Sequence, residues 1–172
     1  ENHKNYTNYD PIAEANKFIV IYPQGSFLNG ALTSGNHWNV GSWTVGSTAD
    51  DVDFINEVIG LIDKKESINQ NRIYSSGMSN GGFMSYHLAC NLSSKIAAIV
   101  SVTGSMSKET LENCNPSHPT PILQIHGALD TTVNFDGNSS LNMESIDSVL
   151  NYWSTYNSCD PNSAQRLQQL FQ

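Results

Sequence analysis

Apolar residues in this chain occur in two kinds of pattern. Continuous apolar runs cover residues 18–22, 96–102 and 121–125, and runs of this length predict buried strands. Residues 50–65 and 145–156 instead repeat their apolar positions at helical spacing, with Asp50 or Asp51 placed to cap the first of these helices. Strands that alternate with helices predict the α/β class, with a parallel sheet whose functional loops lie at the carboxyl ends of its strands.

A further strand–turn–helix pattern lies in residues 72–90, and its turn holds one serine. Residues 77–81 (GMSNG) fit the G-x-S-x-G nucleophile elbow, in which glycines on either side of the serine let two backbones approach closely. We therefore predict that Ser79 is a nucleophile and that the backbone N–H of Asn80 is an oxyanion donor. The alternative interpretation of these residues is a Gly/Ser-rich loop without catalytic meaning.

The strand predicted at 121–125 is followed by Asp130, a candidate for the acid of a catalytic triad. The α/β-hydrolase triad runs serine, acid, histidine along the chain, and Asp130 comes after the second strand beyond the elbow. We predict that it orients an imidazole, although a turn residue is the ordinary interpretation of an Asp in this position. His126 lies only four residues from Asp130, so we expect it to be a packed, hydrogen-bonded histidine and not the base.

Composition limits the classes of function. The chain has 172 residues, 38% hydrophobic and 14% charged, which is typical of one globular domain. Its net charge of −8 argues against binding to nucleic acid or to an anionic membrane surface. No apolar run approaches the roughly 18 residues of a membrane span. No residues have metal-ligand spacing, so the sequence predicts neither a metal nor a cofactor.

The three cysteines leave two interpretations open. Cys90 is expected at the end of the helix after the elbow and Cys114 in a loop that leaves the next strand, so these two can meet in a disulfide with Cys159 unpaired. Three buried thiols are the alternative.

Several segments, in chain order, carry a resemblance to one group of enzymes. They are FIVIYPQG at 18–25, HWN at 37–39, DDVDFI at 50–55, NRIYSSGMSNGGFM at 71–84, LAC at 88–90, and HG at 126–127 with Asp130. On these residues, which span about 10–137, the chain resembles the polyhydroxybutyrate-depolymerase and feruloyl-esterase group of secreted α/β-hydrolases, which are similar to carbohydrate esterase family 1.

The resemblance implies an α/β-hydrolase core, a parallel sheet with helices on both faces. It also implies that Ser79 is the nucleophile, that Asp130 is the triad acid, and that Trp38 lies near the acyl or alcohol pocket. The implied partner is an ester substrate, in some cases polymeric: a polyhydroxyalkanoate, feruloyl or acetyl groups on plant polysaccharide, or a small aryl ester. The implied location is extracellular or periplasmic.

Departures from the group's pattern matter as much as the matches. No oxyanion strand precedes residue 18, no His-Trp-Pro-Gly stretch follows the helix at 145–156, and residues 163–172 have no counterpart. We therefore expect one domain over 1–172 that is truncated at both ends, with exposed sheet edges that favour self-association.

These departures also leave the sequence without the histidine that serves as catalytic base in the group. We expect it to come from outside this chain, with His37 the best substitute within it. The alternative function is an inactive remnant that binds carbohydrate or a partner through Trp38 and Trp43.

Overall fold

The centre of the molecule is a parallel sheet of three strands. The computed structural model describes residues 2–29 and 34–163, and in it β3 (Tyr74–Met78), β4 (Ala98–Val102) and β5 (Ile122–Ile125) lie in the order β3-β4-β5. A separate antiparallel pair joins β1 (Phe27–Asn29) to β2 (Ser34–Asn36). The helices are α1 (Asn2–Thr7), α2 (Tyr9–Asn16), α3 (Asp51–Glu66), α4 (Asn80–Asn91), α5 (Lys108–Glu112) and α6 (Ile146–Tyr156).

Polar caps start the two long helices that the sequence predicted. Asp50 accepts a hydrogen bond from the backbone N–H of Asp53 at the start of α3, and Ser145 accepts one from Ser148 at the start of α6. Such caps satisfy amide groups that have no partner within the helix. The predicted helices at 50–65 and 145–156, and the strands within 96–102 and 121–125, are thus confirmed to within a few residues.

The hydrophobic core lies between the sheet and α4. Phe83 and Tyr86 project from α4 and are almost fully buried, and Ile99 of β4 meets them from the sheet. The Tyr86 hydroxyl donates to the side-chain oxygen of Gln124 on β5, so the one polar atom of this ring is satisfied. Trp153 of α6 packs against Tyr86, with ring centroids 6.3 Å apart, and completes this side of the molecule.

The opposite face of the sheet is partly open. Its outward residues include Met78, Leu123 and Ile125, which are 41%, 54% and 52% exposed. From this side the hydroxyl of Tyr9 on α2 reaches Ser76 at 3.5 Å, so among the described residues the helical cover predicted for both faces is much thinner here.

The ends of the described sheet are also open. Strands β3 and β5 each pair only with β4 in the described part of the chain, so the expected sheet edges are present. Such edges offer unpaired backbone groups to another chain. Self-association through them stays a prediction.

The prediction of a fully buried strand at 18–22 is wrong. Phe18, Ile19 and Ile21 are 47%, 50% and 42% exposed, and no strand includes them. The Tyr22 hydroxyl instead donates to Asp10 of α2 at 3.0 Å, which holds this segment against a helix. An apolar run becomes a buried strand only where a sheet edge supplies backbone partners, and the pattern of side chains does not encode that edge.

A disulfide joins the end of α4 to the loop after α5. Cys90 and Cys114 are bonded, with their Cα atoms 4.8 Å apart, and Cys159 is a free, exposed thiol. Of the two interpretations that the sequence left open, the structure supports the disulfide and contradicts three buried thiols.

Two remaining expectations concern the ends of the chain and the membrane. The unmatched tail at 163–172 lies outside the described residues from position 164 onward. Within the described ranges, no helix has both the length and the apolar character that crossing a membrane requires.

Candidate active site

Ser79 occupies a strained turn between β3 and α4. Its φ of 54° and ψ of −121° are values that a residue with a side chain rarely adopts. Three backbone hydrogen bonds hold it there: its N–H donates to the carbonyl of Val102, and its own carbonyl accepts from Gly82 and Phe83. This strand–turn–helix geometry is the predicted one, so the backbone here is not simply a Gly/Ser-rich loop, while the catalytic role of Ser79 stays a prediction.

The steric need for glycine that we predicted on both sides of Ser79 is present at Gly77 but not at Gly81. A Cβ atom at Gly77 would lie 2.3 Å from the backbone of Gly81, and one at Gly82 would lie 2.6 Å from the Ser101 hydroxyl oxygen and 3.0 Å from the Cα atom of Gly104. At Gly81 itself a Cβ would meet nothing within 4 Å. The steric need for glycine therefore falls on Gly77 and Gly82.

Free backbone amides face outward at the start of α4. The N–H groups of Asn80 and Gly81 precede the first intrahelical hydrogen bonds, and no residue in the described ranges accepts from them. Since the N-terminus of a helix also carries a partial positive charge, these amides can stabilise a negative oxygen that forms on a substrate bonded to Ser79.

The Asn80 side chain joins the elbow to the backbone of Trp38. Its Oδ1 accepts from the Trp38 N–H at 2.7 Å, and its Nδ2 donates to the Trp38 carbonyl at 3.0 Å. The Trp38 ring stacks on Phe54 of α3, with centroids 6.4 Å apart. The predicted pocket residue is thus adjacent to the predicted oxyanion donor.

Two further contacts assemble the segments that carried the resemblance. The backbone N–H of Asn39 donates to the buried carboxylate of Asp51 at 2.6 Å, which ties residues 37–44 to the start of α3. Trp43 stacks on Phe83 of α4, with centroids 4.5 Å apart and planes 4° from parallel. We call residues 37–44 the Trp38 loop.

Asp130 follows the carboxyl end of β5, as Ser79 follows the carboxyl end of β3, and β4 lies between these two strands. Adjacent strands are about 4.8 Å apart, so β3 and β5 are separated by roughly 10 Å. The Oδ1 atom of Asp130 accepts from the N–H groups of Thr132 and Val133, both at 2.9 Å. The hydrogen bond from Val133 has the largest effect and that from Thr132 the next, and together they hold the pKa of the Asp130 carboxyl below its usual value.

One carboxylate oxygen of Asp130, Oδ1, therefore acts as an ordinary turn residue does, by accepting from backbone amides of the turn. Its Oδ2 lies 3.9 Å from Nε2 of His126, beyond hydrogen-bond distance. That second oxygen is the one available to a catalytic imidazole.

His126 is packed and hydrogen-bonded, as predicted. Its side chain is only 2% exposed, its Nε2 donates to the Val133 carbonyl at 2.7 Å, and its Nδ1 accepts from Gln124 at 3.0 Å. Both ring nitrogens are therefore occupied by structural partners.

The other described histidine side chains are also used structurally. His37 donates from Nδ1 to the Ser26 carbonyl and buries its Nε2, and His87 pairs with Thr110 while burial lowers the pKa of its ring. His118 faces two backbone carbonyls. In the described part of the chain, no histidine is hydrogen-bonded to Ser79.

Family membership follows from residues that include the elbow, the sheet and α6. The pattern of the phospholipase/carboxylesterase family matches residues 46–169. The chain belongs to this family. The resemblance to feruloyl esterases and the α/β-hydrolase fold are thereby confirmed at family level.

Two curated relatives of this carboxylesterase-family chain are fungal esterases. Feruloyl esterase B of Piromyces equi is 36% identical over 118 residues, which are 67% of this chain and 22% of that protein. The bifunctional acetylxylan esterase/xylanase of Neocallimastix patriciarum is 26% identical over 129 residues, which are 75% of this chain and 17% of that protein. The chain thus spans about a fifth of the length of each relative.

A solved structure supports the fold alone. Arabidopsis thaliana SOBER1 superposes with a TM-score of 0.50 at 19% identity, over 88% of this chain and 78% of that one.

Within this carboxylesterase-family domain, sequence reasoning missed the part played by the Asn80 side chain and by Asp51. Both are polar residues next to recognised motifs, and a linear pattern gives no sign that their partners lie 42 and 12 positions away.

No group of three or more His, Cys, Asp or Glu residues in the described ranges is arranged to hold a metal ion.

Proposed function

We propose that this chain carries the nucleophile and acid of a serine carboxylic-ester hydrolase that works through an acyl-enzyme on Ser79. The observation that carries the proposal is the strained turn at Ser79, with the unpaired amides of Asn80 and Gly81 directly after it. A strained serine beside free amides has little structural purpose, and both features suit acyl transfer.

The reaction proceeds in two displacement steps. The Oγ of Ser79 attacks the ester carbonyl carbon, and the oxyanion that forms accepts a hydrogen bond from the Asn80 N–H. Collapse of this intermediate breaks the bond to the alcohol, which leaves with a proton from the base. Water then attacks the acyl-enzyme in the same manner and releases the acid.

Proton transfer requires a base that this arrangement of described residues does not supply. No described histidine is hydrogen-bonded to Ser79, so in the proposed mechanism the base is a histidine from outside the described residues. Asp130 orients it through Oδ2, the oxygen that the turn leaves available. The negative charge of Asp130 stabilises the imidazolium that forms during attack.

The proposed substrates are feruloyl or acetyl esters of plant polysaccharide. The names of the two fungal relatives, a feruloyl esterase and an acetylxylan esterase, support this class. Trp38 supports it too, because its backbone is hydrogen-bonded to the side chain of Asn80, the residue that carries the proposed oxyanion amide, and its aromatic ring can supply an apolar contact for an acyl or alcohol group. Polyhydroxyalkanoates and small aryl esters are the other classes that a substrate panel should contain.

We propose an oxidising compartment, extracellular or periplasmic, for this domain. The Cys90–Cys114 disulfide supports it, since disulfides persist in such compartments and are rare in the cytosol.

The test is active-site labelling of the full-length protein with a fluorophosphonate, so that the proposed base is present, followed by mass spectrometry. Ser79 Oγ displaces fluoride from phosphorus, so the expected result is one adduct on Ser79 that is absent from Ser79→Ala. Ser76→Ala is the matched control, because Ser76 is an exposed serine on the same strand whose hydroxyl lies 3.5 Å from that of Tyr9. A folded, full-length wild-type protein that is not labelled at Ser79 would contradict the proposal.

Hydrolysis assays then separate the substrate classes. Methyl ferulate, acetylated xylo-oligosaccharide, poly(3-hydroxybutyrate) and 4-nitrophenyl butyrate form the panel. Loss of the nucleophile from a serine hydrolase lowers turnover by about a million-fold, so activity of Ser79→Ala within about tenfold of wild type would belong to another site.

The non-catalytic alternative has no specific support in the structure. Trp43 lies flat on Phe83 at 4.5 Å, so one face of its ring is covered by the core and is not available for stacking on a sugar. Saturable binding of xylo-oligosaccharide that is lost in Trp38→Ala, without labelling of Ser79, would favour that alternative.

A further inference from the structure

The Asn80 carboxamide makes a matched pair of hydrogen bonds with one residue of the Trp38 loop. It accepts from the Trp38 N–H and donates to the Trp38 carbonyl, at 2.7 and 3.0 Å. This pairing requires one donor and one acceptor on the same short side chain, which among side chains of this length only asparagine supplies. The contact is therefore specific to the residue type at position 80.

Asn80 also carries the proposed oxyanion amide. Its N–H lies in the same peptide plane as the Ser79 carbonyl, which accepts from Gly82 and Phe83 and so restrains this peptide from the side of the helix. The Asn80 side chain adds a second restraint, on the residue that carries the N–H. Holding the carboxamide against Trp38 therefore fixes this peptide relative to the Trp38 loop as well.

The other end of the contact is itself rigid. The Asn39 N–H is bound to the carboxylate of Asp51 at 2.6 Å, and the Val40 carbonyl accepts from the buried hydroxyl of Ser107, also at 2.6 Å. The Trp38 loop is thus fixed to α3 and to the start of α5 independently of Asn80. A fixed loop can position the elbow, whereas a loose one would follow it.

We infer that the Asn80 side chain is a positioning residue for ester hydrolysis: it clamps the elbow to the Trp38 loop and so fixes the direction of the oxyanion amide. The inference rests on the proposed function. A merely structural role for Asn80 predicts lower stability with an unchanged reactivity of Ser79, so the two roles differ in a measurable quantity.

The experiment measures the second-order rate constant for fluorophosphonate labelling of Ser79. Asn80→Ala removes both hydrogen bonds, and we expect labelling to slow by about tenfold to a hundredfold, less than the 10²–10³ typical for loss of an oxyanion donor. Trp38→Ala keeps both backbone atoms of the clamp and should slow labelling less. Circular dichroism establishes that each variant is folded.

Asn80→Asp adds a readout that a structural role would not move. Its carboxylate still accepts from the Trp38 N–H but turns a second oxygen toward the Trp38 carbonyl, whereas the protonated acid can donate there. The ratio of variant to wild-type labelling rates should therefore rise as the pH falls from 8 to 4.5. Asn151→Asp, at an exposed position of α6, controls for the added charge and should show no such rise.

A separate measurement follows the clamp without chemistry. Hydrogen exchange of the Trp38 backbone amide, observed by NMR, should quicken in Asn80→Ala. Labelling of that variant at the wild-type rate would overturn the inference while the proposed function stands. An unlabelled wild-type chain would be a failure of the proposed function, and the inference would fail with it. The two failures are distinguished by whether the wild-type chain is labelled.

Discussion

Gly77 and Gly81 are in backbone contact across the turn that holds Ser79: a Cβ atom added to Gly77 would lie 2.3 Å from the Gly81 carbonyl group. No real Cβ atom makes so short a contact with backbone, so a side chain at Gly77 forces β3 and α4 apart. The relation is one-sided, because a Cβ at Gly81 would meet nothing within 4 Å.

Gly77→Ala is expected to lower the free energy of unfolding by about 3 kcal/mol, the upper part of the range for overpacking. Gly81→Ala lies near the start of α4 and is expected to raise it by about 0.5 kcal/mol, because alanine favours a helix over glycine. Urea unfolding followed by circular dichroism measures both. Equal effects of the two substitutions would show that the close approach is not what selects glycine here.

Reduction of the Cys90–Cys114 disulfide is expected to destabilise the domain. The bond closes a segment of 24 residues, and the loss of chain entropy in the unfolded state for a loop of that size corresponds to about 3.5 kcal/mol. The measurement is urea unfolding of wild type against a Cys90→Ala, Cys114→Ala double variant. Cys159→Ala is the control, because that thiol is free and exposed. A double variant as stable as the control would contradict the expectation.

The sequence predicted those parts of the fold that depend on local pattern. Helix α3 begins at its Asp50 cap and α6 at its Ser145 cap, and the turn at Ser79 follows from the spacing of its glycines. Each of these features depends on residues within a few positions of one another. Local chemistry was sufficient for them.

What the sequence could not predict depends on partners far along the chain. The run at 18–22 has the composition of a buried strand, but its environment is decided by whether a sheet edge is adjacent, and Tyr22 binds α2 instead. The contact of Asn80 with Trp38 spans 42 positions. The role of Asp130 as triad acid stays a prediction, since the hydrogen bonds that the structure shows on it belong to a turn.

Ser101→Ala is expected to stabilise the domain by about 1 kcal/mol. The Ser101 hydroxyl is fully buried and is without a hydrogen-bond partner among the described residues, and an unsatisfied buried group lowers stability. The matched control is Ser105→Ala. That hydroxyl is equally buried but donates to the Glu144 carbonyl at 2.7 Å, so its loss should destabilise by about 1 kcal/mol.

Thermal unfolding of both serine variants provides the measurement. Opposite shifts of the melting temperature are expected, upward for Ser101→Ala and downward for Ser105→Ala. A lowered melting temperature for Ser101→Ala would mean that the hydroxyl has a partner, such as a bound water, that offsets the loss of its hydration.

Asp130→Asn is expected to change how stability depends on pH. The amides of Val133 and Thr132 make the pKa of the Asp130 carboxyl lower in the folded state than in the unfolded chain. The carboxyl therefore loses its proton more readily in the folded protein. The resulting stabilisation is fully present above the unfolded pKa of about 3.9 and is lost as the pH falls through the folded value. Wild type should therefore exceed Asp130→Asn in free energy of unfolding at pH 7, and the difference should shrink below about pH 4. Urea titrations at a series of pH values measure it, with Asp136→Asn as the control for loss of an exposed carboxylate from the same segment. A difference that stays constant down to low pH would show that the carboxylate charge is not what the turn amides stabilise.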